Sequence, residues 1–263
     1  MRSLAMYQVD AFADQVFGGN PAAVLVLDDW LTDDTMQNIA AENNLAETAF
    51  VRANAAGWDL RWFTPLHEVD FCGHATLATA HVLATERRVH GELVFATRVG
   101  ELRVSRQEDG YTLDVPSLPP RPVDDLPSAL SAMFPNAGAT LFRNFENIFV
   151  ELSGERAVRE FVPDLAKIAT LHPLGLAVTG KGDHYDFVSR YFVPGAGIPE
   201  DPVTGATHAT LVPYWARKLG KLSLSAFQCS HRGGHLGCEL RGDRVLLTGR
   251  AATFMKAEIL LPV

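Results

Sequence analysis

The sequence predicts an α+β protein with two similarly built halves, and three observations support this prediction. Segments that alternate apolar and polar residues, typical of half-buried strands, recur along the whole chain. Two helical segments, residues 75–86 and 206–219, are apolar nearly all round, so both helices are expected to be buried. The segment His74-Ala75-Thr76-Leu77 recurs as His208-Ala209-Thr210-Leu211 near the start of the second apolar helix. Acidic residues precede both copies, which favours an internal duplication.

The composition is that of an ordinary globular protein. Its 263 residues suffice for one large or two small domains, and 47% hydrophobic with 21% charged residues permits a sizeable core. The net charge of −8 argues against nucleic acid or an anionic membrane as a partner, because both attract positive surfaces. No apolar run approaches the roughly 18 residues of a membrane helix, and the first residues lack a signal peptide's apolar core. Together with only three cysteines, these features predict a cytoplasmic protein.

The first half is predicted to contain a surface helix, the first buried helix and a series of strands. Residues 32–34 favour the start of a helix over 35–42, in which the apolar residues share one face. The buried helix follows at 75–86. Strands are predicted at residues 6–12, 22–27, 47–51, 59–63, 91–99, 100–106 and 111–115.

A proline-rich segment, residues 116–122, predicts the boundary between the halves, because four prolines in seven residues permit neither a helix nor a central strand. The expected domains are residues 1–116 and 117–263, with a last strand near 255–263 that could return to the first domain. The second half is predicted to contain an amphipathic helix at 158–169 and the buried helix at 206–219. Its predicted strands are residues 145–152, 174–179, 185–192, 221–229, 235–241, 244–248 and 251–261.

Glycines Gly73 and Gly205 precede the two apolar helices at matching places in the two halves. The start of a helix presents unpaired backbone N–H groups and the positive end of its dipole, so it can bind a carboxylate. A glycine there allows a ligand to approach the backbone closely. The alternative is that both glycines only mark junctions between strand and helix.

Three ionisable residues lie at positions where they could carry chemistry. Glu47 has apolar neighbours, and burial would favour its neutral form and suit it to acid/base work; an exposed glutamate at a strand start is the alternative. His74 is either a capping or core histidine, or a substrate donor or proton shuttle. Asp201 is either a helix cap or a site residue.

Other chemistries find less support in the sequence. The segment 229–238 holds Cys229, His231, His235 and Cys238, but their spacing matches no usual zinc finger, so a hairpin without a metal is predicted. The chain has no G-x-G-x-x-G, no G-x-x-x-x-G-K-[ST] and no G-x-S-x-G segment. Dinucleotide, P-loop and α/β-hydrolase enzymes are therefore not indicated.

Seven segments in order resemble the phenazine-biosynthesis isomerase-like (PhzF) family, a branch of the diaminopimelate-epimerase fold. They include Phe71-Cys72-Gly73-His74 and Glu200-Asp201-Pro202. The resemblance spans essentially the whole chain. Its segments are residues 8–12, 19–24, 43–50, 63–65, 71–76, 200–205 and 228–237.

The resemblance implies two similar domains, each a curved mixed sheet wrapped around a central helix, with the active site in the cleft between them. It also implies a cofactor-independent enzyme without a metal, in which Glu47 is the acid/base, and a homodimer. The prototype of the family isomerises trans-2,3-dihydro-3-hydroxyanthranilate. The implied further site residues are His74 and Asp201, the side chain of Asn20, and the backbone at Gly73 and Gly205.

The chain departs from the family pattern at one position. Ala206 stands where the family commonly has serine, and Thr207 follows it, so the hydroxyl group is missing or displaced by one residue. The epimerase branch uses two cysteines, but Cys72 has no cysteine opposite it in the second half. We therefore expect one-base proton transfer by Glu47, with Ala206 and Thr207 lining the substrate site.

The sequence thus predicts an isomerase that moves a proton between carbons of a small carboxylate, cyclic and substituted with amino or hydroxyl groups. An epimerase or racemase of a modified amino acid, with Cys72 or His74 as partner base to Glu47, is a second hypothesis. A small-acid-binding protein without turnover is the third, and Ala206 is the feature that favours it.

Overall fold

The computed structural model of the chain describes residues 2–123, 127, 128, 130, 133, 134 and 140–261. The chain divides into two compact units, Met1–Asp114 with Thr248–Val263, and Val115–Leu247. No helix within the described residues is both long and apolar enough to cross a membrane.

In the described part of the first unit there are two α-helices and most of the N-terminal strands. The helices are α1 (Asp33–Asn43) and α2 (Gly73–Glu86). The strands are β1 (Arg2–Ala11), β2 (Asn20–Leu27), β3 (Glu47–Asn54), β4 (Gly57–Phe63), β5 (Glu68–Val69), β6 (Leu93–Thr97), β7 (Gly100–Gln107), β8 (Gly110–Pro116) and, from the C-terminal end, β18 (Ala251–Leu261).

The strands of the first unit form a mixed sheet around α2. β1 lies between β18 and β2 in antiparallel pairings, whereas β2 pairs with β3 and β4 with β6 in parallel. α2 contacts β1, β2, β3 and β18, and it is buried from Gly73 to Ala84 apart from His81. The predicted burial of this helix is confirmed. α1 packs on an apolar cluster formed with residues of β2, β3 and β4, Phe50 among them.

Among the described residues, the second unit contains three α-helices and the remaining strands. The helices are α3 (Glu155–Glu160), α4 (Leu165–Ala169) and α5 (Gly205–Leu219). The strands are β9 (Arg121–Pro122), β10 (Thr140–Arg143), β11 (Asn147–Glu151), β12 (Gly175–Lys181), β13 (Phe187–Val193), β14 (Ile198–Asp201), β15 (Ser223–Gln228), β16 (Gly234–Arg241) and β17 (Arg244–Gly249).

The sheet of the second unit is also mixed. β11 pairs with β12 and β13 with β15 in parallel, and β12 pairs with β13 and β15 with β16 antiparallel. α5 is mostly buried, as predicted, and contacts β15 and β16. The hairpin predicted around residues 229–238 is confirmed as β15 and β16.

One prediction for the second half is wrong in detail. The single helix predicted at 158–169 is two short helices, because Pro163 follows α3 and disfavours helical backbone at Val162. The proline-rich segment, predicted to permit neither a helix nor a central strand, includes the two-residue strand β9, which pairs with β10. Proline is tolerated in so short a strand when its missing N–H is not required by a partner.

Candidate active site

The turn between α1 and β3 sets the position of Glu47. Asn44 follows the last residue of α1 and caps the helix: its backbone is left-handed (φ 49°), and its N–H donates to the Ala40 carbonyl. Asn43 then donates from its amide to the Thr48 hydroxyl at 3.1 Å. Glu47 is the first residue of β3 and lies opposite Ala22 of β2. Only 13% of its side chain is exposed, so the carboxyl group is largely shielded from solvent.

Glu47 approaches His74, the second residue of α2. Glu47 Oε2 lies 3.2 Å from His74 Nε2, and the imidazole is only 4% exposed. The two atoms are at ion-pair distance but are not aligned for a hydrogen bond, and both are buried without a hydrogen-bond partner among the described residues. Each atom therefore retains capacity to bind a third group.

Two side chains contact the other ring nitrogen of His74. Asn20 Nδ2 lies 3.1 Å from Nδ1, and Cys72 Sγ lies 3.5 Å from the same nitrogen. In the neutral imidazole, Nδ1 accepts from the Asn20 amide, so the proton lies on Nε2, the nitrogen that Glu47 approaches. In the imidazolium form, Nδ1–H can be donated to the Cys72 sulfur.

The electrostatics of this cluster favour a charged His74. Burial opposes the imidazolium, but Cys72 and Glu47 outweigh it and raise the pKa of His74 well above its ordinary value of 6.5. Burial, together with the charge of Glu47, raises the pKa of the Cys72 thiol to about 11. At neutral pH the Cys72 thiol is therefore uncharged. The arrangement can hold and transfer a proton at Nε2.

Replacing Glu47 by glutamine is expected to lower the pKa of His74, because burial remains while one of the interactions that oppose it is lost. Titration of the imidazole protons by NMR measures this change. In the unchanged protein, the stability contributed by charged His74 is complete below about pH 6.5 and is lost as pH rises through the raised pKa.

His81 of the same helix is the internal control for this titration. Burial lowers its pKa to about 4, and it contacts Thr253 and Tyr111 and not Glu47. Its titration should be the same in both proteins. A His74 pKa that does not move in Glu47→Gln would contradict the electrostatic coupling described above.

The other predicted site residues lie in the second unit, at and before the start of α5. Asp201 ends β14 and is 7% exposed. Its carboxylate Oδ2 accepts a hydrogen bond from the Thr204 hydroxyl. The N-cap position of α5 is occupied by Thr204 and not by Asp201.

Gln228, a residue that the sequence analysis did not single out, connects Asp201 and Thr204. Its Nε2 donates to the Asp201 carbonyl at 2.8 Å and lies 3.2 Å from the Thr204 hydroxyl oxygen. Its Oε1 accepts from the Thr204 N–H at 2.8 Å. Gln228 is fully buried, so these bonds fix the backbone that carries Asp201. The one sequence feature that could have indicated its role is that Gln228 begins the last family-like segment, residues 228–237.

Gln228→Ala is expected to destabilise the protein by at least about 1–3 kcal/mol, because it leaves buried backbone groups without partners. Urea denaturation measures the loss. Gln107→Ala, at the exposed end of β7, is the matched control and should change stability little. Equal stabilities of the two variants would show that Gln228 does not hold this segment.

Gly205, Ala206 and Thr207 form the first turn of α5. Gly205 and Thr207 are buried and Ala206 is half-buried. The Thr207 hydroxyl donates to the Thr204 carbonyl at 2.9 Å, so it is bonded within the helix start. A contact of Ala206 or Thr207 with substrate stays a prediction.

The structure thus brings Asn20, Glu47 and His74 together in the first unit, where Gly73 begins the helix that carries His74. Glu47, Cys72 and His74 also form a group of possible metal donors, within 4.8 Å of one another. In the described part of the chain, the residues of segment 229–238 form no such group. Cys72, which sequence reasoning placed near the first cysteine of the epimerase branch, is a neighbour of His74.

Comparison with known proteins supports the resemblance. A sequence model of the phenazine biosynthesis-like protein family matches residues 9–257. An uncharacterized isomerase of Pseudomonas aeruginosa is 46% identical over 257 residues, which cover 97% of this chain and 98% of that protein. The crystal structure of a PhzF-family phenazine biosynthesis protein from Enterococcus faecalis matches with a TM-score of 0.94 and 45% identity, covering 99% of this chain and all (100%) of that one.

A more distant structure shares the fold alone. A hydroxyproline epimerase of Agrobacterium vitis has a TM-score of 0.66 at 9% identity and covers 98% of this chain and 92% of its own. These matches confirm the predicted α+β, epimerase-like fold class and the family resemblance. This chain belongs to the phenazine biosynthesis-like protein family.

Proposed function

We propose that this protein is a cofactor-independent isomerase that moves a proton between carbons of a small carboxylate. The observation that carries the proposal is the buried pair of Glu47 and His74, with facing atoms 3.2 Å apart and free of other hydrogen bonds among the described residues. Homologues named as isomerases support the reaction class. A proton shift between two carbons is redox-neutral, so its atoms balance without a co-reactant.

Glu47 would remove a proton from a carbon that a neighbouring carboxylate or alkene activates, and would return it to a second carbon. The His74 imidazolium would stabilise the negative charge that develops on the substrate, because charge is stabilised strongly where water is excluded. In the neutral form of the ring, the Asn20 amide would hold its orientation through Nδ1. A shuttle of this kind contributes about 10²–10⁴-fold to the rate.

The remaining roles concern the substrate. Asp201 would orient its polar groups, and Ala206 and Thr207 would contribute to the wall around it. The backbone N–H groups after Gly73 and Gly205 would bind its carboxylate, as helix starts do for anions. The small-carboxylate substrate, the homodimer and the cytoplasmic location stay predictions.

Proton NMR in D₂O tests the proposal. The family's prototype substrate, trans-2,3-dihydro-3-hydroxyanthranilate, and a panel of cyclic and amino-substituted acids are incubated with the protein. Isomerisation with deuterium uptake at a new carbon is the expected result for at least one acid. If every acid stayed unchanged while some raised the melting temperature, the binding protein without turnover would be favoured instead.

A second candidate function, epimerisation, is favoured by Cys72. Its sulfur lies 3.5 Å from Nδ1 of His74, whose other nitrogen faces Glu47, so the imidazole links a thiol to a carboxylate. An epimerase would exchange the substrate Cα–H for deuterium without moving a double bond. The pKa of about 11 for Cys72 argues against its thiolate as the base at neutral pH.

A further inference from the structure

Trp62 is a buried residue that has no part in the proton transfer proposed above. It lies in β4, and only 1% of it is exposed. Its indole nitrogen Nε1 is buried and has no hydrogen-bond partner among the described residues. An indole N–H can donate but not accept, and a buried donor without an acceptor costs free energy. Binding of an acceptor at this nitrogen would remove that cost.

The pairing of β3 and β4 places Trp62 on the same face of the sheet as Glu47. Trp62 lies opposite Ala49, and Glu47 is two residues before Ala49, so all three side chains point to one face. Phe50 and Phe63 lie on the other face, where they pack with α1. Trp62 is thus a diagonal neighbour of Glu47. Such neighbours are about 7–8 Å apart, within reach of aromatic and long side chains.

Trp62 also packs against the segment that leads into α2. Its ring meets that of Phe71 edge to face, with ring centroids 6.3 Å apart. Phe71 directly precedes Cys72, the N-cap residue of α2, and His74 is the second residue of that helix. Trp62 therefore lies beside both elements that carry the acid/base pair, namely β3, which begins with Glu47, and the start of α2.

Three buried polar atoms of this region lack a hydrogen-bond partner within the described chain: Glu47 Oε2, His74 Nε2 and Trp62 Nε1. The first two atoms face each other at 3.2 Å. A ligand that binds beside all three atoms must present an acceptor to Trp62. An indole N–H carries no charge and only donates, so it selects an oxygen acceptor and not an ammonium group.

A carboxylate is the acceptor that this donor favours most, because hydrogen bonds to ionised groups are roughly twice as strong as those between neutral groups. We propose that the Trp62 N–H donates to the substrate carboxylate and thereby holds the substrate beside Glu47 and His74. The indole would add a side-chain donor to the backbone N–H groups after Gly73. The inference rests on the proposed function, because the small carboxylate of that reaction is the ligand.

NMR of the indole N–H groups tests the proposal directly. The chain contains four tryptophans, so protein labelled with ¹⁵N-tryptophan gives four indole signals. Three of these signals are identified by the variants Trp30→Phe, Trp58→Phe and Trp215→Phe. The fourth signal then belongs to Trp62, even if Trp62→Phe does not fold.

The acids named above, trans-2,3-dihydro-3-hydroxyanthranilate and the panel of cyclic and amino-substituted acids, are added to Glu47→Gln, which should leave them unchanged. We expect at least one acid to move the Trp62 N–H proton downfield, because a charged acceptor then binds it. The signal of Trp215, whose N–H already donates to Thr179, should stay in place. A Trp62 signal that no acid moves would overturn the proposal.

The affinity for that acid, measured by calorimetric titration, shows how much the hydrogen bond contributes. Trp62→Phe should weaken binding by about 10–100-fold, the usual effect of losing a hydrogen bond to a charged group. Trp215→Phe is the matched control, since Trp215 is also 1% exposed but lies in the second unit, and it should bind the acid as the wild type does. Equal affinities in Trp62→Phe and Trp215→Phe would contradict the assignment.

The primary amide of the same acid distinguishes the carboxylate from other oxygen atoms of the ligand. Its binding should be weakened less by Trp62→Phe, because hydrogen bonds to uncharged acceptors are weaker. An equal loss for the acid and the amide would overturn the carboxylate as the acceptor.

Failure of this inference differs from failure of the proposed function. Exchange of carbon-bound hydrogen by the wild type in D₂O, with a Trp62 signal that no acid moves, would reject the role of Trp62 and leave the isomerase proposal standing. A moved Trp62 signal without exchange of any acid would reject the isomerase proposal, whereas the binding of a carboxylate by Trp62 would stand.

Discussion

Glu47→Gln is expected to lower the rate of carbon–hydrogen exchange by about 10²–10⁴-fold, the usual contribution of a positioned acid/base. Glutamine has almost the shape of glutamate but accepts no proton from carbon at neutral pH. The variant should remain folded, because Glu47 Oε2 has no hydrogen bond among the described residues that the change would break. Proton NMR in D₂O, with whichever carboxylate the wild type turns over, measures the rate.

Glu86→Gln is the matched control for this experiment. Glu86 lies at the end of α2 in the same unit, and its carboxylate pairs with Lys256 on the surface. The same chemical change there should leave the exchange rate unchanged. Equal exchange rates in wild type and Glu47→Gln would contradict the proposed mechanism, even though the fold would be unaffected.

A second substitution separates the charge of Glu47 from its position. Glu47→Asp keeps the carboxylate but withdraws it by one methylene group from His74, 3.2 Å away in the native protein. Proton transfer depends steeply on such distances, so we expect a rate between those of wild type and Glu47→Gln. The pKa of His74 should stay raised in this variant, because a negative charge remains nearby.

The two buried helices could be predicted from the sequence because their apolar residues leave no polar face. Residues 75–84 are stable only where they are buried on all sides. The structure places them so, because α2 contacts four strands. Short elements could not be predicted in the same way. β9 has only two residues and exists because β10 lies beside it, which no local pattern reveals.

In the candidate site too, some features could be predicted from the local sequence and others could not. The apolar surroundings of Glu47 left its direction open, and the family resemblance was needed to favour the inward orientation. The contact between Asn20 and His74 joins residues 54 positions apart, and that between Gln228 and Asp201 joins residues 27 apart. Such contacts depend on how strands pair and helices pack, so they cannot be predicted from the local sequence pattern.

Trp215→Ala is expected to destabilise the protein by about 3–5 kcal/mol, the usual cost of removing a large aromatic side chain from a core. Trp215 is 1% exposed in the middle of α5 and stacks on Phe187, with ring centroids 5.8 Å apart. Its indole N–H donates to the Thr179 hydroxyl at 3.0 Å. The alanine variant would lose this bond and leave a cavity beside β12 and β13.

Urea denaturation measures this loss as a lower midpoint at a similar slope. Phe145→Ala is the control, since Phe145 is an aromatic residue of the same unit that is 66% exposed. Trp215→Phe should lie between the two, because it keeps a stacked ring but not the indole hydrogen bond. A loss in Trp215→Ala no larger than that in Phe145→Ala would contradict the core position of α5.

The same variants separate stability from chemistry. α5 carries Gly205, Ala206 and Thr207 in its first turn, whereas Trp215 lies more than two turns further along the helix. Trp215→Phe should therefore lower the fraction of folded protein on heating without changing the exchange rate per folded molecule. A lower rate in fully folded Trp215→Phe would show that packing in the middle of α5 also sets the position of its first turn.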